Sequence, residues 1–270
     1  MMPSFMERLN SISIYDYMIA FLVTLGIAAN LFLNLFSFNN PTLLMDAFVR
    51  MVTVPIFAAI VDLSIKHFVL KKSIEIPKTA LISGLFVAGI LDPTAPLHVH
   101  LIAATLAILS KHVLRIGKRN IFNPAGFGIT ITSIIFTYLL KTSIVGSWWV
   151  GATLLVIPLG LFISYKIEKL QLTFSFYIVY MLAVLLILKL PLGQILDPSF
   201  LSGYFFFACF MLVEPRTTPY TLKAMIIFGV LVALLSAILP LIAPSIEFTL
   251  ISLMFMNLFK DILDKKLPDS

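Results

Sequence analysis

Residues 202–219 read SGYFFFACFMLVEPRTTP, and residues 83–96 read SGLFVAGILDPTAP. Each is an apolar run opened by Ser-Gly and closed by an acid, a proline, a threonine and a second proline. The apolar runs they belong to, Leu201–Val213 and Thr79–Leu91, are each thirteen residues long. Thirteen helical residues reach about 20 Å, well short of the roughly 30 Å of hydrocarbon in a bilayer. Proline blocks continuation of a helix and pushes the preceding residue out of helical angles. Two readings follow: helices that break inside a membrane, or ordinary loops at its edge. Buried breaks are tolerated only where the freed backbone is enclosed by protein or lines a cavity.

The rest of the chain puts these runs in a membrane. Of 270 residues, 60% are hydrophobic and 12% charged, and the mean hydropathy is +1.05. A soluble domain carries about 25% charged residues. This chain has too little polar material to cover a water-facing surface. Its apolar runs do not alternate, which excludes an outer-membrane barrel. The first residues hold Glu7, Arg8 and Asp16 and lack the features of a cleavable signal. The single cysteine, Cys209, lies in an apolar run and reads as a core residue.

Ten spans are expected: Tyr17–Phe36, Leu43–Ile65, Thr79–Leu91, Leu97–Ser110, Ala125–Leu140, Ser147–Ser164, Thr173–Leu188, Leu201–Val213, Ala224–Leu241 and Ile246–Phe259. The loops between them test the number. Of nineteen Lys and Arg residues, only Arg50, Lys141 and Lys189 fall on one side; the other sixteen share the side of both termini. The positive-inside rule places that side, and both termini, in the cytoplasm of a multi-pass protein of the cell inner membrane. Inserting or removing one span midway would scramble the bias. Trp148 and Trp149 fall at the outer interface, where aromatic anchors collect. The positive charges sit in short loops, so the membrane accounts for them and no nucleic-acid partner is implied.

The two proline-terminated runs are spans three and eight. Five spans apart is an odd number, so the copies cross the membrane in opposite directions. The fold expected is therefore all-α and polytopic: one transmembrane domain over 1–270, built from two inverted five-helix repeats at about 17–140 and 147–263, with helices three and eight broken. Short, proline-interrupted spans at matching positions of two halves point to a central binding site. Asp92 and Thr94 of the first break, and Glu214, Thr217 and Thr218 of the second, are the candidates for an ion or substrate pathway, since an acid inside a membrane is costly. Asp62 is a third intramembrane acid, and Arg50 a cation able to pair with one.

A third interruption is Asn123-Pro124-Ala125-Gly126-Phe127-Gly128. Asn123 suits a helix cap and Pro124 a first helical turn. Gly126 and Gly128 allow close approach by a helix or a ligand. His98 and His100, two apart on a helix, point about 200° from one another and form no metal chelate; no metal site is implied. His67 and His112 lie among basic loop residues and are expected near solvent or headgroups.

These residues carry a resemblance. The Phe122-Asn123-Pro124-Ala125 string is similar to the Phe-Asn-Pro-Ala motif of one membrane family. That family includes the B subunit of the sodium-translocating NADH:quinone oxidoreductase and the D subunit of the Rnf electron-transport complex. Phe210-Met211-Leu212-Val213-Glu214-Pro215-Arg216-Thr217-Thr218-Pro219, followed by Ile227-Phe228-Gly229, resembles a second family segment. The resemblance spans roughly residues 80 to 262. It implies ten helices in two inverted repeats and electron transfer through flavin, FMN, with possible coupling to cation translocation. In the family a Ser-Gly-Ala-Thr threonine on the outer side carries FMN through a phosphoester; Val150-Gly151-Ala152-Thr153 stands there in this chain, which makes Thr153 the candidate attachment point. Asn123, Pro124, Gly126 and Gly128 are candidates for non-covalent flavin contact. Valine replaces the family serine, no acid precedes the motif, and the outer loop Lys141–Gly146 is short.

Two functions stand against each other. One is a subunit of an ion-translocating oxidoreductase complex of Rnf or Nqr type, fed with electrons by partner subunits bearing iron–sulfur clusters or flavin, because this chain has no domain to hold NADH or a cluster. The other is a non-redox transporter or channel for a small solute or ion on the same inverted-repeat frame.

Overall fold

The computed structural model describes residues 12–36, 41–71, 73, 75–117, 119–140, 144–146, 153–242 and 247–269; the side chains of residues 32–36, 41, 42, 44, 138, 140, 153 and 154 are outside that description. Trp148, Trp149 and Gly151-Ala152 therefore fall outside the described residues, as does the side chain of Thr153.

Twelve α-helices account for most of the described chain. They are α1 (Ile14–Phe36), α2 (Pro41–Ser64), α3 (Lys78–Ile90), α4 (Leu97–Val113), α5 (Pro124–Leu140), α6 (Thr153–Lys166), α7 (Leu170–Leu186), α8 (Leu192–Ile195), α9 (Pro198–Phe206), α10 (Leu222–Ile242), α11 (Phe248–Asn257) and α12 (Lys260–Lys266). A π-helical turn extends α2 over Ile65–Val69, and another extends α9 over Phe207–Met211. A two-stranded hairpin, β1 (Arg115–Ile116) and β2 (Arg119–Asn120), leads into α5. Helices α1, α2 and α10 carry apolar stretches long enough to cross a membrane, and seven other apolar helices are shorter, at 10–17 residues. The protein is an all-α polytopic membrane protein.

The outward face of each long helix is apolar, as lipid requires. On α2, Phe48, Val52, Ile56 and Ile60 recur every four residues and are all exposed, while Ala47, Val54, Ala58 and Asp62 face inward and are fully buried. On α7, Phe174, Ile178 and Leu182 form the exposed stripe, and Leu172, Phe176 and Tyr180 the buried one. Both faces being apolar, a hydrophobic period cannot tell inside from outside. The buried faces use small residues where backbones meet, since association within lipid depends on close packing.

The ends of the helices follow local chemistry. Asp197 caps α9, accepting from the amides of Ser199 (2.9 Å) and Phe200 (3.2 Å), with Pro198 in the first turn. Asn123 caps α5 in the same way, its Oδ1 accepting from Gly126 N at 3.0 Å. The start of α10 is served from the far end of the chain: Asp264 Oδ1 accepts from Tyr220 N (2.7 Å) and Thr221 N (3.1 Å), and Asp269 Oδ1 from Leu222 N (2.9 Å).

Helix α3 stops at Ile90 and α4 begins at Leu97, so the first proline segment does interrupt the helices. Its backbone is held by residues 144–146: Asp92 N donates to Ile144 O (2.8 Å) and Gly146 N to Ile90 O (3.0 Å). The second segment, between Met211 and Leu222, likewise separates α9 from α10. Packing partners recur in the two halves. Helix α1 lies on α3 as α6 lies on α9; α2 on α4 as α7 on α10; α4 on α5 as α10 on α11.

Gly128 and Gly126 separate in role. A Cβ at Gly128 would sit 2.2 Å from the carbonyl oxygen of Ala103, so that glycine lets α5 touch α4. At Gly126 a Cβ would meet only Asn123 side-chain atoms at 3.6 Å, an ordinary contact. Gly128→Ala should therefore destabilise the protein by about 2 kcal/mol through overpacking, and Gly126→Ala should stay within roughly 0.5 kcal/mol of the parent. Thermal unfolding of the purified proteins in one detergent checks this; equal melting temperatures would refute the assigned contact.

Candidate functional site

The segment from Met211 to Thr221 has no helix to satisfy its carbonyls, and donors from five other places reach it. Asn123 Nδ2 donates to Met211 O at 3.0 Å, and Asn257 Nδ2 to Thr217 O at 2.8 Å. Arg119 Nη2 donates to Thr218 O at 2.6 Å, Lys169 Nζ to Pro219 O, and Lys260 Nζ to Arg216 O at 3.4 Å. The hydroxyls of Thr217 and Thr218 turn back onto Glu214 O, at 3.3 and 2.9 Å. Asn257 Oδ1 also accepts from Asn123 N at 3.3 Å, so the caps of α5 and α11 are joined to the break and to each other.

Arg119 and Lys260 fasten this assembly to the ends of the chain. The Arg119 guanidinium pairs with Asp261 at 2.5 Å and lies 4.0 Å from the centre of the Tyr220 ring. Lys260 Nζ also donates to the carbonyls of Asn120 and Ile121. Both Lys169 and Lys260 are nearly fully buried, and burial lowers each ammonium to about 8. Asp264 opposes the effect at Lys169, and Asp261 and Glu214 oppose it at Lys260.

Beside the break, Asp62 is fully buried and gathers three basic groups. Lys66 Nζ is 2.7 Å away, Lys111 Nζ 3.0 Å and His112 Nε2 2.8 Å. Lys111 also donates to Thr79 Oγ1 at 2.6 Å. This corrects the expectation that His112 lies near solvent or headgroups: a buried carboxylate from α2 holds it.

Two neighbouring cavities open between these groups. The first, of about 90 Å³, has room for several waters. Its apolar wall includes Ile14, Met18, Ile82, Phe86 and Phe210, and its polar wall Lys111, Asn120, Asn123, Glu214 and Arg216. The second, of about 180 Å³, is lined by Lys66, Leu70, Thr79, Lys111, His112, Arg115, Asn120 and Arg216. Asn120 is 3% exposed and its Oδ1 has no hydrogen-bond partner among the described residues.

A sequence model of the NQR2, RnfD, RnfE family matches residues 137–269. The matched stretch is just under half of the chain, and over it the chain is similar to that family. The match covers the second half, including Gly151-Ala152-Thr153 and the segment Glu214–Pro219, while Asn123-Pro124-Ala125-Gly126 lies just outside it. No curated protein matches the chain. The match supports, in general terms, a membrane subunit of the Rnf and Nqr type.

The residues singled out from the sequence divide into three groups. Glu214, Asn123 and Pro124 line the first cavity. Thr217 and Thr218 are fully buried beneath it, their hydroxyls spent on the break itself. Asp92 and Thr94 are elsewhere: Thr94 N and Oγ1 both donate to Asp92 Oδ1, at 2.8 and 2.6 Å, closing a turn against residues 144–146. That turn is at the C-terminal end of α3, whereas Thr79, near the N-terminal end, borders the cavity with Glu214. The two breaks thus flank opposite ends of α3 and do not converge on one site. Arg50 pairs with Asp46 on its own helix at 3.5 Å and donates to Ala95 O at 3.3 Å, so its main work is at the first break. Gly128 packs helices. Arg119, Asn120, Lys169, Asn257 and Lys260 were not singled out, because single cations and amides near span ends look like ordinary loop residues.

Two consequences can be measured. Asp62→Ala leaves Lys66, Lys111 and His112 crowded without their shared carboxylate. Stability should fall by about 3–5 kcal/mol, the range for one partner lost from a buried ion pair; a melting temperature unchanged within error would refute the assigned hub. For Lys169 the folded state holds its proton more weakly than the unfolded state does. Between about pH 8 and the ordinary lysine range the unfolded chain binds more protons, so stability rises with pH across that window. The melting temperature of the parent should gain on that of Lys169→Met as pH climbs above 8; a constant difference would count against a depressed ammonium.

Proposed function

We propose that this chain is the membrane subunit of an Rnf- or Nqr-type electron-transport complex, passing electrons through flavin and coupling their passage to cation movement. The observation that carries the reading is the family match over residues 137–269, which takes in both Gly151-Ala152-Thr153 and the second break. The recurrence of packing partners in the two halves supports two inverted repeats over about 17–140 and 147–263. The distribution of Lys and Arg supports an inner-membrane protein with cytoplasmic termini.

The walls of the first cavity carry groups suited to the edge of a flavin, although enclosing the ring would need more than its volume of about 90 Å³. Asn120 Oδ1 is an acceptor without a donor, Phe86 and Phe210 give an apolar face, and Lys111 and Arg216 offer positive charge where a reduced ring gathers negative charge. A bound flavin would supply one- and two-electron transfer; the protein's part is to hold it, to shield it from bulk water and to set the local charge. Glu214 is the acid of the cavity wall and would exchange a cation or proton with it. Thr153 is the residue for a covalent FMN on the outer side. Electrons reach the chain from partner subunits carrying iron–sulfur clusters or flavin.

In-gel flavin fluorescence of the denatured protein, co-expressed with a flavin transferase, tests the covalent site beside a Thr153→Ala control. A band present in the parent and absent from the variant is the expected result. A dark parent band, together with no flavin absorbance in the native protein, would overturn the redox reading and leave a non-redox transporter on the same frame.

A further inference from the structure

The second cavity has an unusual charge balance. Lys66 comes from the turn after α2, Lys111 and His112 from the end of α4, Arg115 from β1 and Arg216 from the break. Four permanent cations and a histidine from four separate segments thus face one concavity. The carboxylate among them, Asp62, is fully buried behind the wall and is already shared by Lys66, Lys111 and His112. Glu214 lines the other cavity, which Lys111 and Arg216 also border. Among the described residues, Arg115 and Arg216 make no ion pair, and both are exposed to the opening. Gathering like charges in a concave site is unfavourable unless an anion answers them. Four cations less Asp62 leave a surplus of three positive charges; a single carboxylate ligand would answer one of them, and a dianion with several acceptor oxygens answers two.

We propose that this cleft binds the phosphate of a phosphomonoester, with the less polar remainder of the ligand in the adjoining cavity. Arg115 and Arg216 present planar forks that suit phosphate oxygens, and Lys66 and Lys111 add point charges from the wall. Thr79, Lys111, Asn120 and Arg216 belong to both cavities, so a ligand can bridge them without leaving protein. Asn120, buried with its Oδ1 unpartnered, marks the junction. The first cavity's apolar wall, with Ile14, Met18 and Phe86, suits an acyl chain or an aromatic ring equally. The phosphate is thus the shared chemistry of two sources, an acidic lipid headgroup and a phosphorylated soluble cofactor. The assignment does not rest on the electron-transfer reading.

The test is thermal unfolding and binding titration of the purified protein in neutral detergent. The probes are inorganic phosphate and two matched pairs: dihexanoyl phosphatidic acid with dihexanoyl phosphatidylcholine, and FMN with riboflavin. In at least one pair the phosphomonoester should raise the melting temperature by several degrees above its partner. Arg115→Gln/Arg216→Gln should weaken that binding about tenfold while unfolding near the parent temperature without ligand. A preference for phosphatidic acid identifies a lipid headgroup, a preference for FMN a soluble cofactor, and an equal response to inorganic phosphate a site that reads the phosphate alone. If the double variant does not fold, Arg115→Gln, in an exposed hairpin, should still weaken binding several-fold. No response to any phosphate, or equal responses in parent and variants, overturns the proposal.

Discussion

A peptide carbonyl freed from a helix and buried in protein has no water to turn to. That constraint organises the interior of this protein. The segment after Met211 leaves the helix, and the donors that answer it come from Asn123, Asn257, Arg119, Lys169 and Lys260. These residues belong to α5, α11, the hairpin, the turn before α7 and the start of α12. Satisfying one broken segment therefore draws together elements more than a hundred positions apart in the chain. Each buried group left unpaired would cost about 1–3 kcal/mol, so the alternative arrangements are expensive. The two buried ammonium groups are held despite that expense because carbonyls are what they cap.

The same interactions shape the space where function can sit. Because Thr217 and Thr218 are turned inward to Glu214 O, they brace the break and leave the cavity wall to Glu214, Asn123 and Asn120. Because Asp62 binds Lys66, Lys111 and His112 from behind, those cations are held in place at the rim of the neighbouring cleft. The first break is built differently. It is stitched by backbone bonds to residues 144–146 and by Arg50, and no cluster of buried lysines serves it. Copies with similar sequence thus differ in what surrounds them, and both cavities described above lie beside the second.

Helix ends and close contacts show how local chemistry and packing divide the labour. Asp197 with Pro198, and Asn123 with Pro124, start helices by rules that act within four residues. Gly128 obeys a rule that acts between helices: its missing Cβ is the space in which Ala103 O lies. Neighbouring Gly126 has the same composition and no such duty. Nothing within the Asn-Pro-Ala-Gly-Phe-Gly string separates the two, since the atoms that decide belong to α4.

The sequence by itself determined the class of protein and the position of its helices. Apolar length and the lack of charge decide membrane insertion, and proline decides where a helix must stop; both act locally, so the ten expected spans match the helices to within a few residues wherever the chain is described. It also determined the kinship carried by Phe210–Pro219. What only the tertiary structure decided is which polar residues meet. Asp92 and Glu214 look alike in sequence, each an acid before a proline, yet one closes a surface-side turn and the other lines a cavity. Arg119, Lys169 and Lys260 looked like loop residues, and Asn257 like one more residue of the last span. The reason is that a buried polar group is defined by its partner, and the partners here are backbone carbonyls, which every residue carries and no residue letter distinguishes.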